Sequence, residues 1–219
     1  VVRWGGAHVW KVGGKVFAIA GWSDGEALAV TFKTSEMAFD ILKELRAKGA
    51  TRLFVAGHSQ GAVFAVLYAA RHPVDGVIAI APGGAVDTPA FTRNLSEHVA
   101  RARKMKDEGR GGDKAGFAGF EGRRKAAHVR TTAAIYLSWF DPAGEHTSAA
   151  FGKVKAGTPV LLVAPTGDSP PLRSLASAAF ASLPEHPRKR LLEPATDHMG
   201  APAAAAQDIA AWIPETAGN

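Results

Sequence analysis

The chain has 219 residues, of which 47% are hydrophobic and 21% are charged, and this composition is typical of a globular protein with a well-buried core. It contains no cysteine, which excludes disulfides, thiolate metal sites and a cysteine nucleophile. No apolar run reaches the roughly 18 residues that a membrane span needs. The first residues show neither a starting Met nor the apolar core of a signal peptide, so we expect a trimmed or fragmentary N-terminus.

The net charge of +6 is concentrated in one segment. Between Arg93 and Arg130 there are eleven Lys or Arg and five Asp or Glu, so the rest of the chain is neutral. A local basic excess attracts nucleic acid or anionic substrates. Here, however, acidic residues are interspersed and aromatic residues are few. We therefore interpret the segment as a solvated helical surface, which disfavours nucleic acid as a partner.

The first third of the chain predicts a small antiparallel meander followed by a helix. Its apolar runs are short, alternate, and are separated by Gly-rich turns at Gly13-Gly14 and Ser23-Asp24-Gly25. After Thr34 or Ser35, an apolar stripe at helical spacing extends to about Lys48, and Gly49 is well placed to end it. The predicted strands are His8–Val12, Lys15–Ala20 and Leu28–Lys33.

From Arg52 onwards, strands alternate with helices. This alternation predicts a parallel sheet that is covered by helices on both faces. The predicted strands are Arg52–Ala56, Val77–Ala81, Thr158–Ala164 and Arg190–Glu193, and the predicted helices are Ala62–Arg71, Ser174–Leu183 and Ala205–Ile213.

The fold class is therefore α/β, a mainly parallel sheet with an N-terminal meander and a helical lid insertion. We expect residues 1–48 to form the meander plus its helix, joined to the main sheet. Residues 49–219 then form the core. The insertion spans about 85–157, with helices over Asn94–Glu108 and Thr131–Phe140.

The segment Gly57-His58-Ser59-Gln60-Gly61 has the pattern G-x-S-x-G, and so has Gly21-Trp22-Ser23-Asp24-Gly25. A nucleophile elbow requires a strand before the serine and a helix after it, since the sharp turn aims the hydroxyl away from the sheet. Ser59 stands between a predicted strand and a predicted helix. Ser23 stands between two strands of the meander. We therefore predict Ser59 as the nucleophile and interpret the match at Ser23 as a turn.

A serine hydroxyl needs a base within hydrogen-bond reach and a third group that orients the base. Asp168 and His198 follow two later strands of the predicted sheet, in the order acid and then base. The carboxyl ends of parallel strands meet at one sheet edge, where ligands bind in open α/β folds. The predicted catalytic residues are therefore Ser59, Asp168 and His198.

Other acids and histidines are weaker candidates. Asp197 adjoins His198 in sequence and would have difficulty reaching its ring. Asp141 follows a helix and not a strand. His58 lies inside the elbow, where we expect it to pack or cap. The remaining histidines that we considered lie at helix ends or in the insertion, where a solvated ring is the usual state; these are His72, His128, His146 and His186.

From about residue 39 to the C-terminus the chain resembles the α/β-hydrolase superfamily. The resemblance rests on the elbow around Ser59, on Asp168 as acid and on His198 as base. It implies that the backbone N–H of Gln60 is one donor of the oxyanion hole. The segments Ile80–Gly84 and Tyr136–Pro142 are similar to members with a helical lid.

Residues 1 to about 42 resemble the N-terminal half of a different family, the small MmcQ/YjbR proteins, which are often described as DNA-binding. The segments Trp4–Ala18 and Ala29–Lys33, followed by a helix, carry this resemblance. The strands and the His-Gly-type loop that normally precede a hydrolase elbow are missing. We expect strand Leu28–Lys33 to lie parallel to the nucleophile strand through a right-handed crossover. The amides near Lys33–Ser35 would then supply the second oxyanion donor.

The sequence thus predicts a serine hydrolase that acts on a small ester or related acyl substrate and belongs with the carboxylesterases. Neither a metal nor an organic cofactor is implied, since a serine triad needs none. Tyr136, Trp139 and Phe140 are candidates for binding the acyl group, or are core residues. Two alternatives stay open: a non-enzymatic module of the DNA-binding kind, and a folded mosaic without activity. The sequence leaves the oligomeric state and the compartment undetermined.

Overall fold

The computed structural model describes residues 2–4, 7–12, 15–23, 26–32, 47, 49, 51–83, 85–121 and 124–217. Side chains are described from residue 47 onwards, except at 90 and 120–128. The chain divides into two compact units. The first, called the sheet unit, comprises Val1–Gly83 and Phe151–Asn219, and the second, called the insertion unit, comprises Gly84–Ala150.

The elements of the described residues follow one another in chain order as strands β1 to β10 and helices α1 to α6. They are β1 Val2–Trp4, β2 Ala7–Val12, β3 Lys15–Ser23, β4 Glu26–Phe32, β5 Phe54–His58, α1 Gln60–Arg71, β6 Gly76–Ile80, α2 Pro89–Asp107, β7 Lys114–Glu121, β8 Arg124–Thr132, α3 Ala133–Phe140, a 3₁₀ turn at Ser148–Lys153, β9 Val160–Val163, α4 Pro170–Ser182, β10 Arg190–Leu192, α5 Ala201–Ala204 and α6 Ala206–Ala217.

The predicted meander is confirmed. Strands β1 to β4 form an antiparallel sheet in chain order. The predicted turn glycines at 13–14 and 25, and all but the end of the predicted helix, lie outside the described residues. Gly49 has φ 96°, the left-handed conformation that a glycine adopts where a helix ends.

The main sheet has the order β10-β9-β6-β5, and all its strands are parallel. Every residue of β6 and of β9 is buried. Such continuous burial is typical of parallel strands that helices cover on both faces. The predicted α/β fold class, with a mainly parallel sheet, is therefore confirmed.

The edge strand β5 has β4 beside it. The Cα atoms of the two strands approach within 8 Å, although among the described residues the two sheets remain separate hydrogen-bonded ladders. The meander therefore approaches β5 without extending the main sheet by a ladder, and the predicted joining of the two sheets stays a prediction. The crossover over residues 33–46 lies outside the described part of the chain.

Helix α1 follows the elbow and is the most deeply buried helix of the sheet unit. Seven of its twelve residues are buried, including Ala62, Val63 and Val66, which are fully enclosed. Trp212 of α6 packs against the opposite cluster of sheet residues, edge to face with Phe54 at 6.0 Å between ring centroids. Its indole N–H donates to the carbonyl of Arg188 at 3.1 Å. These two packings hold β5 and β6 rigidly in place.

Two helix boundaries differ from the prediction, and a proline lies at each of them. Helix α4 begins at Pro170, four residues before the predicted Ser174, since the first turn of a helix needs no N–H donors and tolerates Pro170 and Pro171. Helix α6 continues through Pro214 to Ala217 instead of ending at Ile213. Helix α6 therefore forgoes one backbone hydrogen bond at Pro214 and still extends to Ala217.

The insertion unit contains the two predicted helices and, in addition, a hairpin that the sequence analysis does not predict. Helices α2 and α3 are present, but the Gly-rich segment between them forms the antiparallel hairpin of β7 and β8. The core of this unit consists of buried side chains from α2, β7 and α3, among them Phe91, Leu95, Phe117, Tyr136 and Leu137. No helix of the described residues is long and apolar enough to cross a membrane.

Candidate active site

Ser59 lies in a sharp turn between β5 and α1. Its backbone has φ 57° and ψ −123°, a conformation that is strained for a residue with a side chain. A serine at a helix N-terminus usually caps the helix with its hydroxyl, but the Ser59 side chain makes no capping hydrogen bond. The strained backbone and the uncapped hydroxyl both distinguish this turn from an ordinary strand–helix junction.

Backbone hydrogen bonds hold the Ser59 turn from three sides. The N–H of Ser59 donates to the carbonyl of Ile80 at 2.9 Å, which continues the pairing of β5 with β6. The carbonyl of Ser59 accepts from Ala62 at 3.0 Å and from Gly83 at 3.2 Å. The strained conformation is therefore fixed by neighbouring elements, as a strained functional residue requires.

Gly57 is required by the close approach of strand β5 to helix α1. A Cβ on Gly57 would lie 1.9 Å from the carbonyl oxygen of Gly61, far inside van der Waals contact. A Cβ on Gly61 would meet nothing within 4 Å. The two glycines of the pattern therefore have different roles, and only the first is dictated by space.

The structure brings Asp168 and His198 together. Nδ1 of His198 lies 3.1 Å from Oδ1 and 3.0 Å from Oδ2 of Asp168. The Asp168 side chain is 6% exposed and that of His198 is 23% exposed. A sheltered carboxylate that accepts from Nδ1 orients the imidazole and leaves Nε2 as the nitrogen for proton transfer.

The loops that carry Asp168 and His198 are joined by backbone hydrogen bonds. Beyond the pairing of β9 with β10, Ala164 donates to Leu192 at 2.7 Å and Gly167 donates to Thr196 at 2.9 Å. A Cβ on Gly167 would lie 2.6 Å from the Thr196 carbonyl, so this close approach also depends on glycine. The separation of Asp168 from His198 is therefore set by the sheet.

Ser59 and His198 meet at Gly83, which follows β6. The position of a Cβ on Gly83 lies 3.2 Å from Oγ of Ser59, 3.4 Å from Cε1 of His198 and 3.5 Å from Cδ2 of Leu172. Both catalytic candidates therefore border one small space that a side chain at residue 83 would fill. The three predicted residues lie at the carboxyl ends of β5, β9 and β10, which is where ligands bind in open α/β sheets.

His58 does more than the packing or capping expected of it. Its Nε2 lies 2.9 Å from the carbonyl oxygen of His198, and the two rings are 5.0 Å apart. Burial lowers the pKa of His58 below its usual value, against the opposing effect of this hydrogen bond. The sequence places His58 at the carboxyl end of β5, beside Ser59, but does not indicate this contact with His198.

The rival acids are engaged elsewhere. The carboxylate of Asp197 accepts from the N–H of Gly200 at 2.8 Å, within its own loop. Asp141, in the insertion unit, pairs with Arg103, and this pair lowers the pKa of Asp141. His186 accepts at Nδ1 from the N–H of Arg188 at 3.0 Å, before the amino end of β10.

The donors proposed for an oxyanion are described only in part. Gln60 is the first residue of α1, so its backbone N–H lies at the positive end of the helix dipole, directly after Ser59. The second predicted oxyanion donor is an amide near Lys33–Ser35. These residues lie outside the described part of the chain, so this donor stays a prediction.

Cations of the basic segment pair with acids of the insertion unit. Arg110 lies 3.0 Å from Asp113 and 3.3 Å from Glu108. Exposed pairs of this kind are typical of a solvated surface. That nucleic acid is not a partner stays a prediction.

Tyr136 belongs to the core of the insertion unit. It is fully buried, stacks on Phe117 with centroids 4.3 Å apart and donates its hydroxyl to the carbonyl of Ala118 at 2.8 Å. Burial raises the pKa of Tyr136 to about 12. Of the two interpretations of this aromatic residue, core and acyl contact, the structure favours the core.

The chain has the α/β-hydrolase fold, as comparison with solved structures shows. It is similar to the monoacylglycerol lipase of Paleococcus ferrophilus, with a TM-score of 0.55 and 22% identity over 84% of this chain and 76% of that one. A soluble variant of the monoglyceride lipase of Saccharomyces cerevisiae gives 0.56 and 15%, covering 84% and 71%. The esterase domain of a Rhodothermus marinus protein gives 0.50 and 18%, covering 89% and 73%.

No protein-family model and no curated protein sequence matches the chain. At these identities the structural likeness is one of fold. The resemblance of residues 1–42 to the MmcQ/YjbR proteins stays a prediction.

Proposed function

We propose that this chain is a serine hydrolase of the carboxylesterase kind, with Ser59 as nucleophile, His198 as general base and acid, and Asp168 as the group that orients His198. One observation carries the proposal. The carboxylate of Asp168 lies at 3.0 Å from Nδ1 of His198, while Cε1 of the same ring and Oγ of Ser59 border the same point beside Gly83.

The proposed reaction begins with attack of Ser59 Oγ on the carbonyl carbon of the substrate. Nε2 of His198 takes the hydroxyl proton as the bond forms, and Asp168 stabilises the resulting imidazolium. The C–O bond to the leaving alcohol then breaks, and His198 returns the proton to that oxygen. A water molecule, deprotonated by His198, hydrolyses the acyl-enzyme and restores the Ser59 hydroxyl.

Negative charge develops on the carbonyl oxygen in both steps. The backbone N–H of Gln60, at the N-terminus of α1, is the donor we assign to it. The loss of one such donor typically costs about 100- to 1000-fold in turnover. We therefore expect turnover to depend strongly on whether a second donor is present.

An ester is the favoured substrate class. The proteins with the same fold that are named above are lipases and an esterase. The side chain of Leu172 also borders the space beside Gly83. This apolar surface suits an alkyl or acyl group of the substrate. No step of the proposed reaction requires a metal or an organic cofactor.

The test is labelling with a fluorophosphonate probe, read by intact mass, on the wild-type chain and on Ser59→Ala. We expect one phosphonyl group on the wild type and none on the variant, because only an activated serine displaces the fluoride. Circular dichroism confirms that both are folded. A folded wild type that stays unlabelled would overturn the proposal, and the inactive mosaic would then be the better description. Hydrolysis of p-nitrophenyl esters, compared with the matching anilides, then separates ester from amide substrates.

A further inference from the structure

His58 and His198 are 140 residues apart in sequence and joined by one hydrogen bond. A carbonyl oxygen only accepts, so Nε2 of His58 must carry the proton and donate it to His198. His58 is the last residue of β5 and the immediate neighbour of Ser59. The bond therefore connects the strand of the proposed nucleophile directly to the main chain of the proposed base.

The Nε2–H that this contact requires is present both in the imidazolium and in one of the two neutral tautomers. Burial lowers the pKa of His58 from the usual 6.5, so the ring is neutral at pH 7 and above. The charged and titratable groups that act on it are His198, which lowers its pKa, and Asp168, which raises it. A charged His58 would repel the imidazolium that forms on His198 in each proposed catalytic cycle, at a ring separation of 5.0 Å. A neutral donor at this place avoids that repulsion.

We propose that His58 is a positioning residue, which holds the main chain of His198 so that its ring stays in register with Ser59. The inference rests on the proposed function and adds a residue to it. His198 then has two supports: Asp168 fixes the rotation of the ring through Nδ1, and His58 fixes the backbone from which the ring projects. A displacement of about 1 Å in such a site can cost about 100-fold in rate.

The test compares His58→Gln with His58→Leu. Glutamine places an amide N–H donor near the position of Nε2, while leucine has a similar volume and no donor. We expect the fluorophosphonate labelling rate and kcat on a p-nitrophenyl ester to fall by about 10- to 100-fold in His58→Leu. KM should change much less, and His58→Gln should recover most of the loss.

A matched control is His186→Leu, which removes another histidine that bonds to a backbone group in the same unit, near the opposite ends of the strands. It should label like the wild type. Equal losses in His58→Gln and His58→Leu would overturn the proposal, because shape and not the donor would then matter. A His58→Leu variant that labels at the wild-type rate would overturn it as well.

A measurement on the wild type covers the case in which the leucine variant does not fold. Nitrogen-15 NMR of the His58 ring should show a neutral imidazole with the proton on Nε2 between about pH 7 and pH 8. A neutral ring with its proton on Nδ1 would contradict the proposal, because Nε2 would then have no proton to donate. This readout also separates the two hypotheses. An unlabelled wild type with the expected tautomer refutes the proposed function and leaves the contact intact.

Discussion

The pattern G-x-S-x-G occurs twice in this chain, and the two copies form different structures. Around Ser59 it is a strained turn between a half-buried parallel strand and a buried helix. Around Ser23 it begins inside β3 of the meander, where Ser23 still pairs with Glu26 of β4. The five-residue pattern is identical, so the neighbouring elements decide what it becomes. A short motif is informative only together with the strand and the helix that flank it.

The difference between the two copies of the pattern is tested by replacing each serine in turn. We expect Ser59→Ala to abolish fluorophosphonate labelling, because it removes the proposed nucleophile. Ser23→Ala should leave the labelling rate unchanged, because Ser23 ends a strand of the meander and does not lie in a strand–helix turn. Intact mass at a series of times gives both rates. If the Ser23 variant lost the label instead, the assignment of the elbow would be wrong.

The acids allow the next test, with a large effect. Asp168→Asn should keep the fold but lower turnover by about 10⁴-fold, as loss of the orienting carboxylate does in an established triad. Asp197→Asn is the matched control, because its carboxylate bonds to Gly200 and not to the His198 ring. Steady-state kinetics on a p-nitrophenyl ester measure both. Comparable losses in the two variants would contradict the role of Asp168.

A third test uses Gly57 and Gly61, the two glycines of the pattern around Ser59. In Gly57→Ala the new methyl would lie 1.9 Å from a backbone oxygen, which cannot move without shifting α1. We expect a loss of about 3 kcal/mol in the free energy of unfolding. Gly61→Ala meets open space inside a helix and should be neutral or stabilising by up to about 1 kcal/mol. Urea denaturation of both variants is the measurement. A Gly57→Ala variant as stable as Gly61→Ala would show that the strand and helix are farther apart than described.

The smallest effect is expected at Asp141, a carboxylate of the insertion unit that is paired with Arg103. The hydrogen bond from Arg103 holds the pKa of Asp141 below its usual value. Its stabilising effect is therefore present at neutral pH and is lost as the pH falls through that lowered pKa. Asp141→Asn should cost at most about 1 kcal/mol at pH 7. Its Tm deficit should shrink as the pH is lowered towards about 3, while labelling at pH 7 is unchanged. A deficit that grows at low pH would contradict this sign.

Much of the sheet unit was predictable because its elements have strong local signals. The apolar strands and the helix after Ser59 were placed within a few residues. The hairpin of β7 and β8 was missed, since a run such as Lys114–Glu121 is rich in Gly and Ala and poor in β-branched residues. Only pairing with β8 makes it a strand, and such pairing leaves no local trace in the sequence.

For the site, chain order and sheet edge predict Ser59, Asp168 and His198. In the structure Ser59 and His198 border Gly83, and Asp168 lies beside the ring of His198. Two features could not be obtained from the pattern. One is the hydrogen bond of His58, because it depends on the distance between β5 and a loop 140 residues away. The other is the requirement for a glycine at position 83. A side chain there would enter the space between Ser59 and His198, and only the folded structure shows this.

The pairing of β10 with β9 also bears on the order of synthesis. A chain that emerges from the ribosome N-terminus first completes the turn around Ser59 long before His198 exists. The hydroxyl of Ser59 acquires its proposed base only when β10 docks and the two loops beyond it join through Gly167 and Thr196. In an unfinished chain Ser59 would therefore be unreactive. Reaction of Ser59 with a fluorophosphonate would then indicate that β10 has joined the sheet.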